Sequence, residues 1–132
     1  MDISKKQFET YVKEAIDNIP TIYKEKLDNV VFKTEKEPST QQRTALNLRP
    51  CDALFGLYEG VPLPQRGGAN HSILPDIITI FMHPMTHIYT EKKSLKKQIY
   101  KTVWHEVAHY FGLGHDRIND VESSLKQNTK NN

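Results

Sequence analysis

The sequence predicts a small α+β domain, in which a few-stranded mixed sheet packs on an N-terminal helix and a long helix near the C-terminal end. Two stretches, residues 8–19 and 95–111, carry apolar side chains at the three- and four-residue spacing of amphipathic helices. Between them, "DIITIFM" is β-branched and almost continuously apolar, as buried strands are. The 132 residues have room for one core, so we expect one domain over residues 1–125 and a polar, frayed tail over residues 126–132.

The first predicted element is the N-terminal amphipathic helix. Ser4 precedes it and Gln7 follows three residues later, which is typical of a capping box. Pro20 ends the run, and Tyr23 and Leu27 indicate a second short turn. The apolar stripe of the helix consists of Phe8, Val12, Ala15, Ile16 and Ile19.

The middle of the chain is predicted to alternate between extended segments and loops. "NVVFKTEKEP" indicates a first strand, "KEPSTQQRT" a polar loop, and "ALFGLYEGVPLP" a second extended segment. Gly56 and Gly60 within that segment indicate a bulge or a place where another part of the backbone comes close. "QRGGANHSILP" has the composition of a loop, and "DIITIFMHP" predicts a strand buried on both faces. Pro84 argues against a regular helix in "HPMTH", so we predict a loop there.

A long helix is predicted from about Ser94, and Gly112 or Gly114 supplies its end. Trp104 is expected to pack in the core and Tyr110 to reach a cleft, and Cys51 elsewhere in the chain is expected to be buried or half-buried. The apolar stripe of the helix consists of Leu95, Ile99, Val103, Val107 and Phe111. Five lysines crowd its start: Lys92, Lys93, Lys96, Lys97 and Lys101. Such a run is usually a solvated face, and the alternative is a surface that attracts an acidic partner or nucleic acid.

Composition and charge restrict the classes of partner and compartment. A formal net charge of +2 is too small to indicate nucleic acid or an anionic membrane. A single cysteine allows neither an internal disulfide nor a thiolate metal cage, which favours a reducing compartment. The N-terminal segment lacks the features of a secretory signal, and no run of about 18 apolar residues occurs. We therefore expect a cytoplasmic protein and a monomer, although no sequence pattern determines the oligomeric state.

The stretch "WHEVAHYFGLGHD" carries the chemistry that the sequence predicts. His105 and His109 are four residues apart and therefore lie within roughly 40° of each other around a helix axis, one turn apart, so both imidazoles can reach a single ion. Glu106 is rotated away from that line, which suits a general base beside a metal. Gly112 permits the turn that returns His115 as a third ligand. Three imidazoles and an open fourth position are typical of one catalytic zinc ion.

Asp116 has two interpretations of equal weight, an orienting carboxylate behind a ligand and a cap for the following segment. If each position is matched by chance roughly once in twenty, the probability that a given window matches all five motif positions is well below about one in a million. A solvated helix face with unremarkable histidines is therefore the weaker interpretation.

These residues give the chain a resemblance to a known family over roughly residues 50–116. The motif resembles the extended zinc signature of metzincins, and "GLYEGVPLP" and "DIITIFM" before it are similar to segments of the short bacterial zincin-like metallopeptidases, the minimal zincins. The resemblance implies a zincin-like fold, His105, His109 and His115 as zinc ligands, and Glu106 as general base. The family often has Asp where His115 stands. The chain also departs from metzincins, because no methionine follows Met85 to form their conserved turn.

The resemblance also implies a peptide or protein substrate, bound as an added strand along a sheet edge. The candidate edge consists of Leu57, Tyr58, Glu59, Gly60 and Val61; the alternative is a core strand with a glycine bulge. Two other functions remain open. The histidine spacing also resembles bacterial rRNA-maturation metalloproteins, which carry glycine at the position of Glu106, and the domain is small enough to be a metal-binding module without turnover.

Overall fold

A computed structural model describes residues 2–49, 51–61 and 74–113 and shows a mixed α+β architecture, which confirms the predicted fold class. The helices and strands are, in chain order, α1 Lys5–Asp17, α2 Thr21–Lys24, β1 Val30–Glu35, α3 Thr40–Ala45, β2 Gly56–Glu59, β3 Asp76–Phe81, α4 Met82–Ile88 and α5 Lys92–Tyr110. Within these segments, no helix combines the length and the apolarity that crossing a membrane requires.

The described strands form a mixed sheet in the order β1-β3-β2. β1 runs parallel to β3, and β2 runs antiparallel to it. β3 is the central strand and five of its six side chains are buried, as the apolar run "DIITIF" predicts. β2 therefore lies at an edge of the sheet in the part of the chain that the structure describes.

The hydrophobic core lies where α5 packs against α1, β2 and β3. Helix α1 begins at the predicted cap, where the Ser4 side chain accepts a hydrogen bond from the Gln7 main chain. Trp104 is fully buried and meets the Tyr23 ring edge-on, with 4.9 Å between ring centroids, so the prediction that it packs in the core is confirmed. The fully buried side chains of α5 thus form one wall of the core, and the same helix carries the motif residues.

Two segments that we predict as loops are short helices. The polar stretch after β1 forms α3, because Ser39 and Gln42 form a complete capping box that satisfies the first main-chain amides. "HPMTH" lies in α4, and Pro84 is tolerated there because it occupies the third position, in the first turn, where the main-chain amides have no partner within the helix. The prediction for Cys51 is also wrong, since its side chain is exposed.

Tyr110 is a core residue and does not reach a cleft, so that prediction is wrong as well. Its side chain is fully buried, and its hydroxyl accepts a hydrogen bond from the Asp28 amide (3.1 Å) and donates one to the Asp28 carbonyl (3.3 Å). This hydroxyl therefore ties the last turn of α5 to the residue that leads into β1.

Tyr110→Phe is expected to lower the free energy of unfolding by about 1–2 kcal/mol, because it leaves the Asp28 amide without its acceptor. Tyr100→Phe is the matched control, since the Tyr100 hydroxyl makes one long, exposed hydrogen bond to the Asn18 carbonyl. Urea unfolding of both variants measures the difference. Equal midpoints for the two variants would contradict the structural role of the Tyr110 hydroxyl.

Candidate metal centre

The last two turns of α5 bring His105 and His109 together on one side of the helix. Their Nε2 atoms are 3.1 Å apart, and the two rings meet edge-on with centroids 4.7 Å apart. Both side chains are half-buried, so a small ion from solvent can reach their nitrogens. The four-residue spacing thus has the geometric result that the sequence predicts for a pair of ligands.

This pair fits a zinc ion. Two nitrogens bound to tetrahedral zinc at about 2.0–2.1 Å are separated by about 3.3–3.4 Å, close to the separation of the two Nε2 atoms. Glu106 adds a carboxylate oxygen to the cluster, and the candidate ligand atoms of His105, Glu106 and His109 all lie within 4.8 Å of one another. No other cluster of three such side chains occurs in the described segments.

Glu106 is buried beside this pair, with 7% of its surface exposed. Burial raises the pKa of its carboxyl from 4.5 to about 7, and a hydrogen bond from the Tyr58 main-chain amide partly opposes the rise. A carboxyl with a pKa near neutrality exchanges protons readily at physiological pH, as a general base or acid must. Burial and a pKa near neutrality are the properties that a general base beside a metal requires, and the catalytic role of Glu106 stays a prediction.

Glu106→Gln is expected to stabilise the zinc-free protein above pH 7. The folded carboxyl binds its proton more tightly than the unfolded one, so wild-type stability falls as the pH rises from 4.5 to about 7. Glutamine carries no such penalty, and the variant should gain up to roughly 3 kcal/mol above pH 7 and nothing below pH 4.5. Chemical unfolding in chelator across this pH range measures the gain, and a gain independent of pH would contradict the burial argument.

Strand β2 passes very close to Glu106, and Gly56 makes this approach possible. A Cβ atom at Gly56 would lie 2.7 Å from Thr102 Cγ2 and 3.2 Å from Glu106 Cγ. The sequence indicates close approach at Gly56, but the neighbours are side chains of α5 and not a backbone. Thr102 is thus a neighbour of the site that the sequence does not predict, because nothing in its spacing links it to β2.

Asp76 is a second neighbour of the site that is not among the residues predicted from the sequence. Its buried carboxylate accepts a hydrogen bond of 2.5 Å from the Tyr58 hydroxyl. A Cβ atom at Gly60 would overlap the Asp76 carboxyl group, so only glycine leaves room for the carboxylate there. A lone acidic residue at the start of an apolar strand is the signal that points to a special role, because such residues are rarely buried without a partner.

The end of α5 turns the chain through Gly112, which has a positive φ of 72°. The Gly112 amide donates to the His109 carbonyl and the Leu113 amide to the Ala108 carbonyl, which together form a Schellman motif. His115 and Asp116, the predicted third ligand and its neighbour, lie outside the described residues, as does Gly114.

The five residues of the candidate substrate edge, Leu57 to Val61, lie on and just after β2. All five are exposed or half-buried, and β2 is an edge strand of the described sheet. The pairing of β2 with β3 is regular from Gly56 to Glu59, so no bulge interrupts that stretch. His83 and His87 lie on α4, where neither belongs to the cluster around Glu106.

Comparison with known protein families gives a match over residues 27–125, to the model described as zincin-like metallopeptidase. The match includes β2, β3 and the whole of α5, and it extends across the segment that contains His115 and Asp116. No curated protein matches the chain.

Proposed function

The chain belongs to the zincin-like metallopeptidase family, and from this premise we propose that it is a zinc-dependent peptidase that hydrolyses peptide bonds. The observation that carries the proposal is the placement of a buried carboxyl, Glu106, beside two imidazole nitrogens at zinc-ligand separation. A solvated helix face would leave that carboxyl exposed.

His105 and His109 would hold the zinc ion from α5, and His115 would complete the set of three from beyond Gly112. When bound, zinc in such sites lowers the pKa of water and polarises a carbonyl group. The imidazoles supply neutral nitrogen ligands, which leave the ion its positive charge for this purpose. The Schellman turn supports the proposal, because it terminates α5 at Gly112, three residues after His109, as a third ligand from beyond the helix would require.

Glu106 would accept a proton from the attacking water and deliver it to the leaving amine. Both transfers require a carboxyl whose pKa lies near the working pH, and burial of Glu106 has this effect. The rRNA-maturation alternative has no such group at this position. For this reason the carboxyl favours peptide hydrolysis over the RNA-processing alternative and over a metal-binding module without turnover.

The substrate is proposed to be a peptide in extended conformation along the outer side of β2. This strand lies at an edge of the described sheet and contacts α5 beside the histidine pair. An unstructured segment of a protein can adopt the required conformation, whereas a folded domain presents few such segments.

The test is incubation of the protein with an unstructured protein substrate under three conditions: with zinc, with chelator, and with zinc restored after chelation. We expect fragments with zinc, none with chelator and recovery after restoration. A parallel incubation with RNA separates the alternatives. Intact substrate protein together with chelator-sensitive RNA cleavage would overturn the proposal in favour of RNA processing, and no cleavage of either would favour a binding module.

A further inference from the structure

The direction of the main-chain groups along β2 follows from one hydrogen bond. The Phe81 amide donates to the Phe55 carbonyl (2.9 Å), so this opposed pair is hydrogen-bonded across the β2–β3 ladder. In antiparallel strands hydrogen-bonded and non-hydrogen-bonded pairs alternate. Leu57 and Glu59 therefore direct their main-chain groups towards β3, and Tyr58 between them directs its amide away from β3.

That outward amide meets the Glu106 carboxylate. The Tyr58 N–H donates a hydrogen bond to this carboxylate, so one outward main-chain donor of the edge strand binds the proposed base. The Oε2 atom of Glu106 lies close to β2: a Cβ atom at Gly56 would be 3.4 Å from it. A carboxylate held through one oxygen keeps its second oxygen in a fixed direction.

Tyr58 is also held through its side chain. Its hydroxyl is hydrogen-bonded to the buried Asp76 carboxylate, and its ring meets the Tyr110 ring edge-on at 6.3 Å between centroids. The residue is thus anchored by β3 through its side chain and by α5 through its ring and its amide. Gly56 sets how closely this anchored strand can approach α5.

We propose that Tyr58 is a positioning residue, whose main-chain amide fixes the Glu106 carboxylate while Asp76 and Gly56 hold β2 at the distance that this bond requires. The catalytic part of this inference rests on the proposed function, whereas the hydrogen bond itself can be measured without any enzymatic activity. A side-chain donor rotates and can be lost by a single substitution, whereas an amide in a paired strand is preorganised.

The first experiment measures amide hydrogen exchange by NMR in the full chain with zinc bound. We expect the Tyr58 amide to be protected in the wild-type protein and to exchange at least about tenfold faster in Glu106→Ala, which removes the acceptor. Glu106→Gln keeps an acceptor oxygen and should keep the protection. The Leu57 and Glu59 amides, which face β3, are the internal controls and should not change. Rapid exchange of the Tyr58 amide in the wild-type protein, or equal protection in Glu106→Ala, would overturn the proposal.

The second experiment adds a methyl group between β2 and α5, and then removes another methyl group to restore the space. Gly56→Ala is expected to reduce kcat by roughly 10- to 100-fold with little change in KM or zinc content, because a displacement below 1 Å misplaces the base. Thr102→Ser removes the methyl that the new Cβ would strike and keeps the hydroxyl that accepts from Gln98. Thr102→Ser alone should retain kcat, and the double variant should recover part of the loss.

A Gly56→Ala variant with unchanged kcat, or one whose KM rises while kcat stays constant, would overturn the positioning role. The two experiments also separate this proposal from the proposed function. The protein could lack peptidase activity and still show a Tyr58 amide whose protection depends on Glu106. That result would support the hydrogen bond and reject the proposed peptidase function.

Discussion

Glu106→Gln is expected to reduce peptide hydrolysis by about 10²- to 10⁴-fold, the usual contribution of a positioned general base. Glutamine has nearly the shape of glutamate, and its amide oxygen can still accept the hydrogen bond from the Tyr58 main chain. The variant therefore removes the proton acceptor and leaves the site in place. The rate of cleavage of a fluorogenic peptide and the zinc content per chain, measured on the same preparation, test both parts of the expectation.

The matched control is Glu91→Gln, which neutralises an exposed carboxylate at the start of the same helix. It should leave both the rate and the zinc content unchanged. Full activity in Glu106→Gln would show that the base is assigned wrongly, and loss of zinc from that variant would show that Glu106 acts as a ligand.

His109→Ala is expected to abolish both zinc binding and hydrolysis. It removes one of the two nitrogens that α5 contributes, and the remaining imidazole cannot hold the ion in the same geometry. A ligand at 100 times its dissociation constant stabilises the folded state by about 2.7 kcal/mol, so zinc should raise the melting temperature of the wild-type protein. The variant should show no such increase, which thermal unfolding with and without zinc measures.

His87→Ala serves as the control, because His87 is exposed on α4 and lies outside the cluster around Glu106. Its zinc stoichiometry and its thermal response to zinc should equal those of the wild-type protein. An unchanged stoichiometry in His109→Ala would reject the ligand assignment, whatever the effect on activity.

The elements that the sequence predicts correctly are those with local, periodic signals. Helices α1 and α5 show an apolar stripe, and β1 and β3 show runs of β-branched residues, so neighbours along the chain suffice to predict them. Helix α3 has no buried side chain and depends on its capping box, while α4 carries in its first turn a proline that a general rule excludes from helix interiors. Both features concern the main-chain amides in the first turn of a helix, which hydrophobic periodicity does not detect.

The residues of the candidate site also fall into those that the sequence predicts and those that it does not. The histidine pair and the carboxyl between them follow from helix geometry, because all three residues lie within two turns of one helix. The contacts of Glu106 with β2, and of Tyr58 with Asp76, join residues that are distant in sequence, and no spacing rule encodes which strand meets which helix. Gly56 and Gly60 are the exceptions, since glycines in an apolar segment indicate that something approaches closely.

The hydrogen bonds between Tyr110 and Asp28 have a consequence for the time course of biosynthesis. They join residues 82 positions apart, and the chain between them contains every strand of the described sheet. Contacts of such large sequence separation form late, because closing a long loop costs entropy before the contacts compensate for it. The candidate metal centre lies on the same helix, α5. We therefore expect a ribosome-bound nascent chain that lacks α5 to bind no zinc, and the completed protein to bind it only after the two ends of the domain have met.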